Sequence, residues 1–152
     1  MAFTTAEGRA RLLDDTARAI EQLSSAVAEL SEAFEQLDDS SAERLEELLF
    51  RPIQHAYGRA LRGRAQFAAR HGLDAAPPAE APASAPAGGA HLLIERAVGH
   101  VQLADSTLGE LQDSLLPIEV GDEELRADLT GVRAGIDHVP ARARELLRTL
   151  GR

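Results

Sequence analysis

The sequence predicts an all-α protein, a four-helix bundle made of two helical hairpins. Apolar residues recur with heptad spacing in both halves of the chain, capping signals separate the helices, and a Pro- and Ala-rich segment without periodicity divides the halves. With 44% hydrophobic but only 3% aromatic residues among 152, the core has to be aliphatic and alanine. We expect one domain, with helices at about residues 4–38, 41–71, 90–116 and 122–150.

The first helix carries the longest heptad pattern. Two series with a spacing of seven run along it, namely Leu13, Ile20, Val27 and Phe34, and Leu23, Leu30 and Leu37. Thr4 and Glu7 have the spacing of a capping box and mark its start. The residues beside the two series are small, namely Ala17, Ala19, Ser24, Ala26, Ser31 and Ala33. Small flanks indicate neighbouring helices on two sides, as in a bundle.

The second helix follows a short polar break. Ser40 and Glu43 have capping-box spacing and predict its start, and His71-Gly72-Leu73 has the pattern of a Schellman stop. Pro52 removes one hydrogen bond, so we expect a kink near residues 48–52. Residues 1–73 therefore form the first hairpin.

Residues 74–89 form a linker rich in Ala and Pro, with almost nothing to bury. A flexible or polyproline-like segment of this length can run along the whole bundle. It permits the second hairpin, residues 90–152, to follow in either a parallel or an antiparallel direction.

The third and fourth helices repeat the pattern of the first two. Buried positions of the third helix are Ile94, Ala97, Val101, Ala104, Leu108, Leu111 and Leu115, and Pro117 ends it. Asp122 is a good N-cap for the fourth helix, and Pro140 predicts a second kink.

Composition excludes several classes of function. The chain has no Cys and no Lys, so disulfides, cysteine metal sites and Schiff-base chemistry are absent, and the sixteen Arg residues indicate a bacterial genome rich in G and C. A net charge of −9 disfavours nucleic acid and anionic membranes as partners. Neither a signal peptide nor a membrane span is expected, which predicts a cytoplasmic location.

Catalytic and metal-binding groups are sparse. None of the five His residues follows a Glu at the spacing of a Glu-x-x-His motif, which the di-metal helical bundles require. No carboxylate lies at a heptad core position of the first or third helix. We therefore expect neither a metal nor a cofactor.

One spacing supports a different hypothesis. Arg133 and His138 match the Arg-x4–6-His motif and so resemble the HEPN-type all-α ribonucleases over six residues. The resemblance implies a metal-independent ribonuclease or toxin-type protein, with Arg133 and His138 cleaving RNA at a dimer interface. Ala134 departs from the polar residue usual in that family.

Residues 51–71 contain no acidic residue, and their basic residues form a candidate binding strip. The strip also includes Arg70 and His71, and the residues predicted to bind a ligand or partner are Arg51, His55, Arg59, Arg62 and Arg64. Charge matching within the first hairpin is the alternative. It would place Arg51 opposite Glu29 and Glu32, Arg59 opposite Glu21, and Arg62 and Arg64 opposite Asp14 and Asp15.

Two leucines lie opposite the buried seam of their own helix. Leu92 and Leu103 are therefore expected on the surface, as a dimer face. The sequence as a whole favours a non-enzymatic interaction or scaffolding protein that binds another protein or itself. The ribonuclease and a binder of a small ligand between kinked helices remain alternatives.

Overall fold

The computed structural model describes residues 4–82 and 88–150, and it confirms the prediction of an all-α chain. Within those ranges the regular structure is helical and contains no strand. The helices are α1 (Thr5–Glu35), α2 (Asp39–Leu45), α3 (Arg51–Arg70), α4 (Ala90–Asp113), α5 (Leu116–Glu119), α6 (Glu123–Ile136) and α7 (Val139–Leu150), with a π-helical segment (Glu46–Phe50) between α2 and α3. None of the helices in these two ranges combines the length and the apolar character that a membrane crossing requires.

Capping groups fix the ends of the first two helices. Thr4 and Glu7 form the predicted capping box at the start of α1. The next cap differs from the prediction, because Asp38 and not Ser40 caps α2, and its carboxylate accepts a hydrogen bond of 2.8 Å from the backbone N–H of Ser41. This hydrogen bond lowers the pKa of Asp38. The first helix therefore ends at Glu35, three residues earlier than expected, and the second begins two residues earlier.

The helix that contains Pro52 is continuous from α2 to α3. Directly before the proline the helix widens into the π-helical segment, where the backbone N–H of Arg51 donates to the carbonyl of Glu46, five residues earlier. A proline inside a regular α-helix meets the carbonyl four residues before it. The π turn relieves that clash.

The third helix ends earlier than its apolar pattern predicts. It stops at Asp113, and Leu115 adopts a left-handed conformation with φ at 66°. Its side chain is consequently 51% exposed, whereas Leu116 in the short helix α5 is buried. Phe34, the last residue of a heptad series in α1, is also exposed at 42%. The heptad series predicted both side chains to be buried, and both predictions are wrong. Each residue lies near the end of its helix, where the neighbouring helix no longer covers the apolar side.

The fourth helix divides in two before Pro140. Asp122 is the N-cap of α6, as predicted, and accepts a hydrogen bond of 2.8 Å from the backbone N–H of Leu125. The turn at Asp137 and His138 then separates α6 from α7.

The contacts between helices define their directions. Arg64 of α3 donates to the carbonyl of Leu13, near the start of α1, so α1 and α3 are antiparallel. Thr107 and Arg96 of α4 reach Gln22 and Glu29 of α1, so this pair is antiparallel as well. In turn, α6 packs against α3, and α7 packs against α4.

The segment between α3 and α4 follows the length of the helices. Arg64 Nη1 donates to the carbonyl of Ala76, the N–H of Ala81 donates to Ser24 Oγ, and Gln36 reaches the carbonyl of Gly88. The described part of the predicted linker is therefore held against α1 and α3. Its course answers the question that the sequence left open, because α4 starts beside the end of α1.

Alanine allows α1 and α4 to pack closely. Ala26 and Ala33 of α1 are fully buried and lie on the side that carries Gln22 and Glu29, and Ala97 and Ala104 of α4 are at most 1% exposed. Larger aliphatic residues fill the remaining core. The predicted small flanks therefore do lie at a helix contact.

Replacing Leu115 tests the conformation at the end of α4. Glycine adopts positive φ without strain, so Leu115→Gly is expected to raise the free energy of unfolding by about 1 kcal/mol. Leu115→Ala removes the same exposed side chain but keeps a residue that disfavours positive φ. It should therefore not raise the free energy of unfolding. Urea unfolding measures both, and an equal effect of the two substitutions would contradict the explanation.

Candidate functional site

Few polar side chains are buried, and each has a partner. Thr16 bonds to the carbonyl of Leu12, and Ser24, Arg64 and Thr107 form the hydrogen bonds described above. Glu29, 5% exposed, lies 2.8 Å from Arg96. Over residues 4–82 and 88–150 no buried side-chain nitrogen or oxygen lacks a hydrogen bond, and no group of residues has the makings of a metal site. The interior of this region therefore offers no reactive cluster.

The residues of the predicted basic strip differ in their surroundings. Arg51, His55, Arg59 and Arg62 are exposed, although Arg59 also contacts α6, and Arg64 is buried. The expected pairing with acids of α1 is wrong for Arg51, which pairs with Glu46 of its own helix at 4.0 Å. It is also wrong for Arg59, whose partner belongs to the second half of the chain.

Arg64 has an unusual position for an arginine. It is 7% exposed and donates to two backbone carbonyls, that of Leu13 at 3.0 Å and that of Ala76 at 2.9 Å. Burial lowers its pKa from the ordinary value, and the charge of Asp14, one of its predicted partners, opposes that shift. Arg64 therefore joins α1, α3 and the segment between α3 and α4.

Two glycines make room for the ion pair between α3 and α6. Arg59 lies 3.2 Å from Asp128. A Cβ at Gly131 would overlap the guanidinium of Arg59, and a Cβ at Gly63 would lie 2.7 Å from a carboxylate oxygen of Asp128. The arrangement is reciprocal. Gly63 of α3 leaves space, a notch, for Asp128 of α6, and Gly131 of α6 leaves a notch for Arg59 of α3.

Asp122 holds the other end of the same helix pair. Its carboxylate caps α6 and also accepts two hydrogen bonds of 2.9 Å from Arg70, while His71 Nε2 lies 2.9 Å away. The hydrogen bonds from Arg70 are the largest cause that lowers the pKa of Asp122 well below its usual range. Arg70 also reaches Glu124, which is 73% exposed.

Arg133 and His138 point to different surroundings. Arg133 donates to Asp105 at 2.9 Å and to Gln112 at 2.8 Å, both on α4, and the hydrogen bond to Asp105 raises its pKa. His138 is exposed in the turn between α6 and α7. Within the described part of the chain no hydrogen bond or ion pair joins the two side chains.

A groove with a basic end lies between α4 and α7. One part, of about 470 Å³, is lined by His91, Arg144, Leu147 and Arg148. A second part, of about 330 Å³, shares Arg144 and Leu147 with the first and extends to Pro140. Neither Arg144 nor Arg148 has an ion-pair partner among residues 4–82 and 88–150.

The outer side of α4 exposes the two leucines that the sequence singles out. Leu92 is 45% and Leu103 55% exposed. Between them lies Gly99, and a Cβ placed there would meet nothing within 4 Å. The spacing of Leu92, Gly99 and Leu103 places all three residues on one side of α4.

No family model, curated protein or solved structure matches this chain. The function proposed for this chain therefore depends on its own surfaces and contacts.

The glycine notches are tested by two substitutions in α6. Alanine favours helix, but Gly131→Ala puts a methyl group into the space of the Arg59 guanidinium and displaces this half-exposed group from Asp128, so we expect the gain in helix propensity to be offset and the free energy of unfolding to stay within about 0.5 kcal/mol of wild type. The control is Gly135→Ala, whose nearest atom would be Ala56 Cβ at 3.8 Å, and it should gain up to about 1 kcal/mol. Gains of equal size would show that the notch has no role.

The contacts of Asp122 with Arg70 and the start of α6 predict that stability depends on pH. Because the pKa of Asp122 is lowered by folding, its contribution to stability is complete at neutral pH and is lost as the pH falls below about 4. Asn keeps the cap but not the charge, so Asp122→Asn should cost about 1–2 kcal/mol at pH 7, and the difference from wild type should shrink with acid. Glu124→Gln, at the exposed partner of Arg70, should have little effect. A pH-independent difference would contradict this account.

Proposed function

We propose that this protein is a non-enzymatic helical interaction module that binds a protein partner through the outer side of α4. The observation that carries the proposal is the exposure of Leu92 and Leu103 on one side of a helix whose other side is buried. Partly exposed leucines on one helix face favour contact with another apolar surface.

The chemistry of the polar groups supports the same conclusion. Arg59, Arg70, Arg96 and Arg133 pair with carboxylates of neighbouring helices. Arginines paired in this way hold neighbouring helices together and are not free to act on a substrate. A scaffold protein requires only such structural contacts.

The proposed architecture is a four-helix bundle made of two hairpins in one domain, with bends at Pro52 and Pro140. The contacts of α1 with α3 and α4, of α3 with α6 and of α4 with α7 support it. A rigid bundle holds the outer side of α4 in a fixed shape. Bacterial origin and a cytoplasmic location remain predictions from composition.

A small-ligand site is the second candidate, and the groove between α4 and α7 favours it. The groove lies beside Pro140, as the prediction of a ligand between kinked helices requires. Its basic end suits an anionic group. However, the groove is open along its length, whereas small-molecule sites enclose most of their ligand.

Photocrosslinking tests the interaction surface. A benzophenone amino acid at position 92 or 103 is expected to form an adduct with one and the same protein, identified by mass spectrometry, because both positions lie on the proposed surface. The control places the probe at Ile118, which is 63% exposed on α5 and outside that surface. Adducts at position 118 alone, or at none of the three, would contradict the proposal.

The ribonuclease alternative needs a separate assay. If the purified protein is an interaction module, it should leave single-stranded RNA intact, and His138→Ala should change nothing. Degradation of RNA by wild type together with its loss in His138→Ala would replace the proposal with the nuclease.

A further inference from the structure

Helix α4 carries a second heptad seam on its outer side. Its members follow one another at intervals of four and three residues, namely Leu92, Arg96, Gly99, Leu103, Ser106 and Glu110. The inner seam of the same helix is at most 2% exposed, whereas the leucines of the outer seam are about half exposed. Residues at these intervals lie on one side of an α-helix. Residues 4–82 and 88–150 therefore leave two leucines uncovered on one side of α4.

A projection and a notch lie side by side on this seam. Leu103 is 55% exposed, and Gly99, one turn before it, leaves at least 4 Å of open space where a Cβ would be. A two-fold axis between these positions would set each Leu103 over the Gly99 of a second copy. A parallel arrangement would instead place leucine against leucine and glycine against glycine, with a void at the glycines. Shape therefore favours an antiparallel pair.

The charges of the seam favour the same orientation. Arg96 and Glu110 lie on either side of the projection and the notch. In the antiparallel pair each Arg96 lies beside Ser106 of the second copy and about 6 Å along the axis from its Glu110, within reach of both long side chains. In a parallel pair each charge would face its own kind. Arg96 also pairs with Glu29 of its own chain at 2.8 Å, so its guanidinium would lie between that carboxylate and Glu110 of the second copy.

We infer that the partner of the outer seam is a second copy of this chain, packed antiparallel along α4 with Leu103 seated over Gly99. This inference rests on the proposed function and specifies its partner. A contact of one helix side per subunit lies at the small end of specific interfaces, below about 1,200 Å² in total, so a reversible dimer with a Kd in the micromolar range is expected.

Sedimentation equilibrium from about 5 µM to 1 mM tests the dimer, a range that brackets micromolar affinity. Wild type should pass from the 16.2 kDa monomer to twice that mass. Leu103→Ser removes the projection and Gly99→Leu fills the notch, and each should raise the Kd at least about tenfold, the equivalent of one buried apolar side chain. Ile118→Ser, at an exposed residue outside the seam, should leave the Kd unchanged.

Gly99→Leu is the most informative variant. The space around its Cβ is empty in the monomer and leucine favours helix, so its thermal stability at low concentration should equal or exceed that of wild type. Loss of the dimer with retained stability would support the notch. Dimerisation of Gly99→Leu as strong as that of wild type would overturn it.

Disulfide trapping tests the orientation, and the absence of native Cys makes single-cysteine variants simple to interpret. The antiparallel register places residue 92 beside residue 110 of the second copy. A mixture of Leu92→Cys and Glu110→Cys should therefore form the mixed disulfide, and Leu92→Cys alone should not cross-link efficiently. Rapid cross-linking of Leu92→Cys with itself would overturn the antiparallel arrangement.

The outcomes also separate this inference from the proposed function. A protein that stays monomeric at every concentration, but forms adducts with a different protein from positions 92 and 103, overturns the second copy as partner and retains the interaction module. A monomer without adducts at those positions overturns both.

Discussion

Close approach between helices is the constraint on which the rest of this structure depends. Small side chains, above all Ala26 and Ala33 of α1 with Ala97 and Ala104 of α4, bring two long helices together. Helices in such close contact leave little interior volume for a pocket or a buried polar cluster. Charged groups are therefore placed along the boundaries between helices, where they meet partners on the next helix. The close packing of the helices therefore determines where the charged side chains lie.

The same constraint explains the glycines in the middle of helices. Gly63 and Gly131 would each weaken an isolated helix by about 1 kcal/mol relative to alanine. In the folded chain they provide the space in which Arg59 and Asp128 meet. Partly exposed ion pairs of this kind add little to stability. Their value lies in selecting which helix becomes the neighbour of α3.

The sequence predicted the helical content and the exposure of Leu92 and Leu103, because the period of apolar residues defines which side of each helix is buried. It did not predict the short helix α5 or the turn at Asp137 and His138. It did not predict the partners of Arg51 and Arg59, since periodicity does not say which helix lies next to which. Leu115 and Phe34 were misplaced because a heptad series does not show where its covering neighbour ends. The notch at Gly99 becomes visible only when the exposed side of α4 is compared with the buried one.

The segment between α3 and α4 returns the chain to the end where α1 finishes. It therefore makes α4 antiparallel to α1, and α3 is antiparallel to α1 as well. The peptide dipoles of contacting helices then point in opposite directions and largely cancel. Neither end of the molecule then accumulates a strong potential from its backbone. The long-range field of this protein is therefore set mainly by its charged side chains.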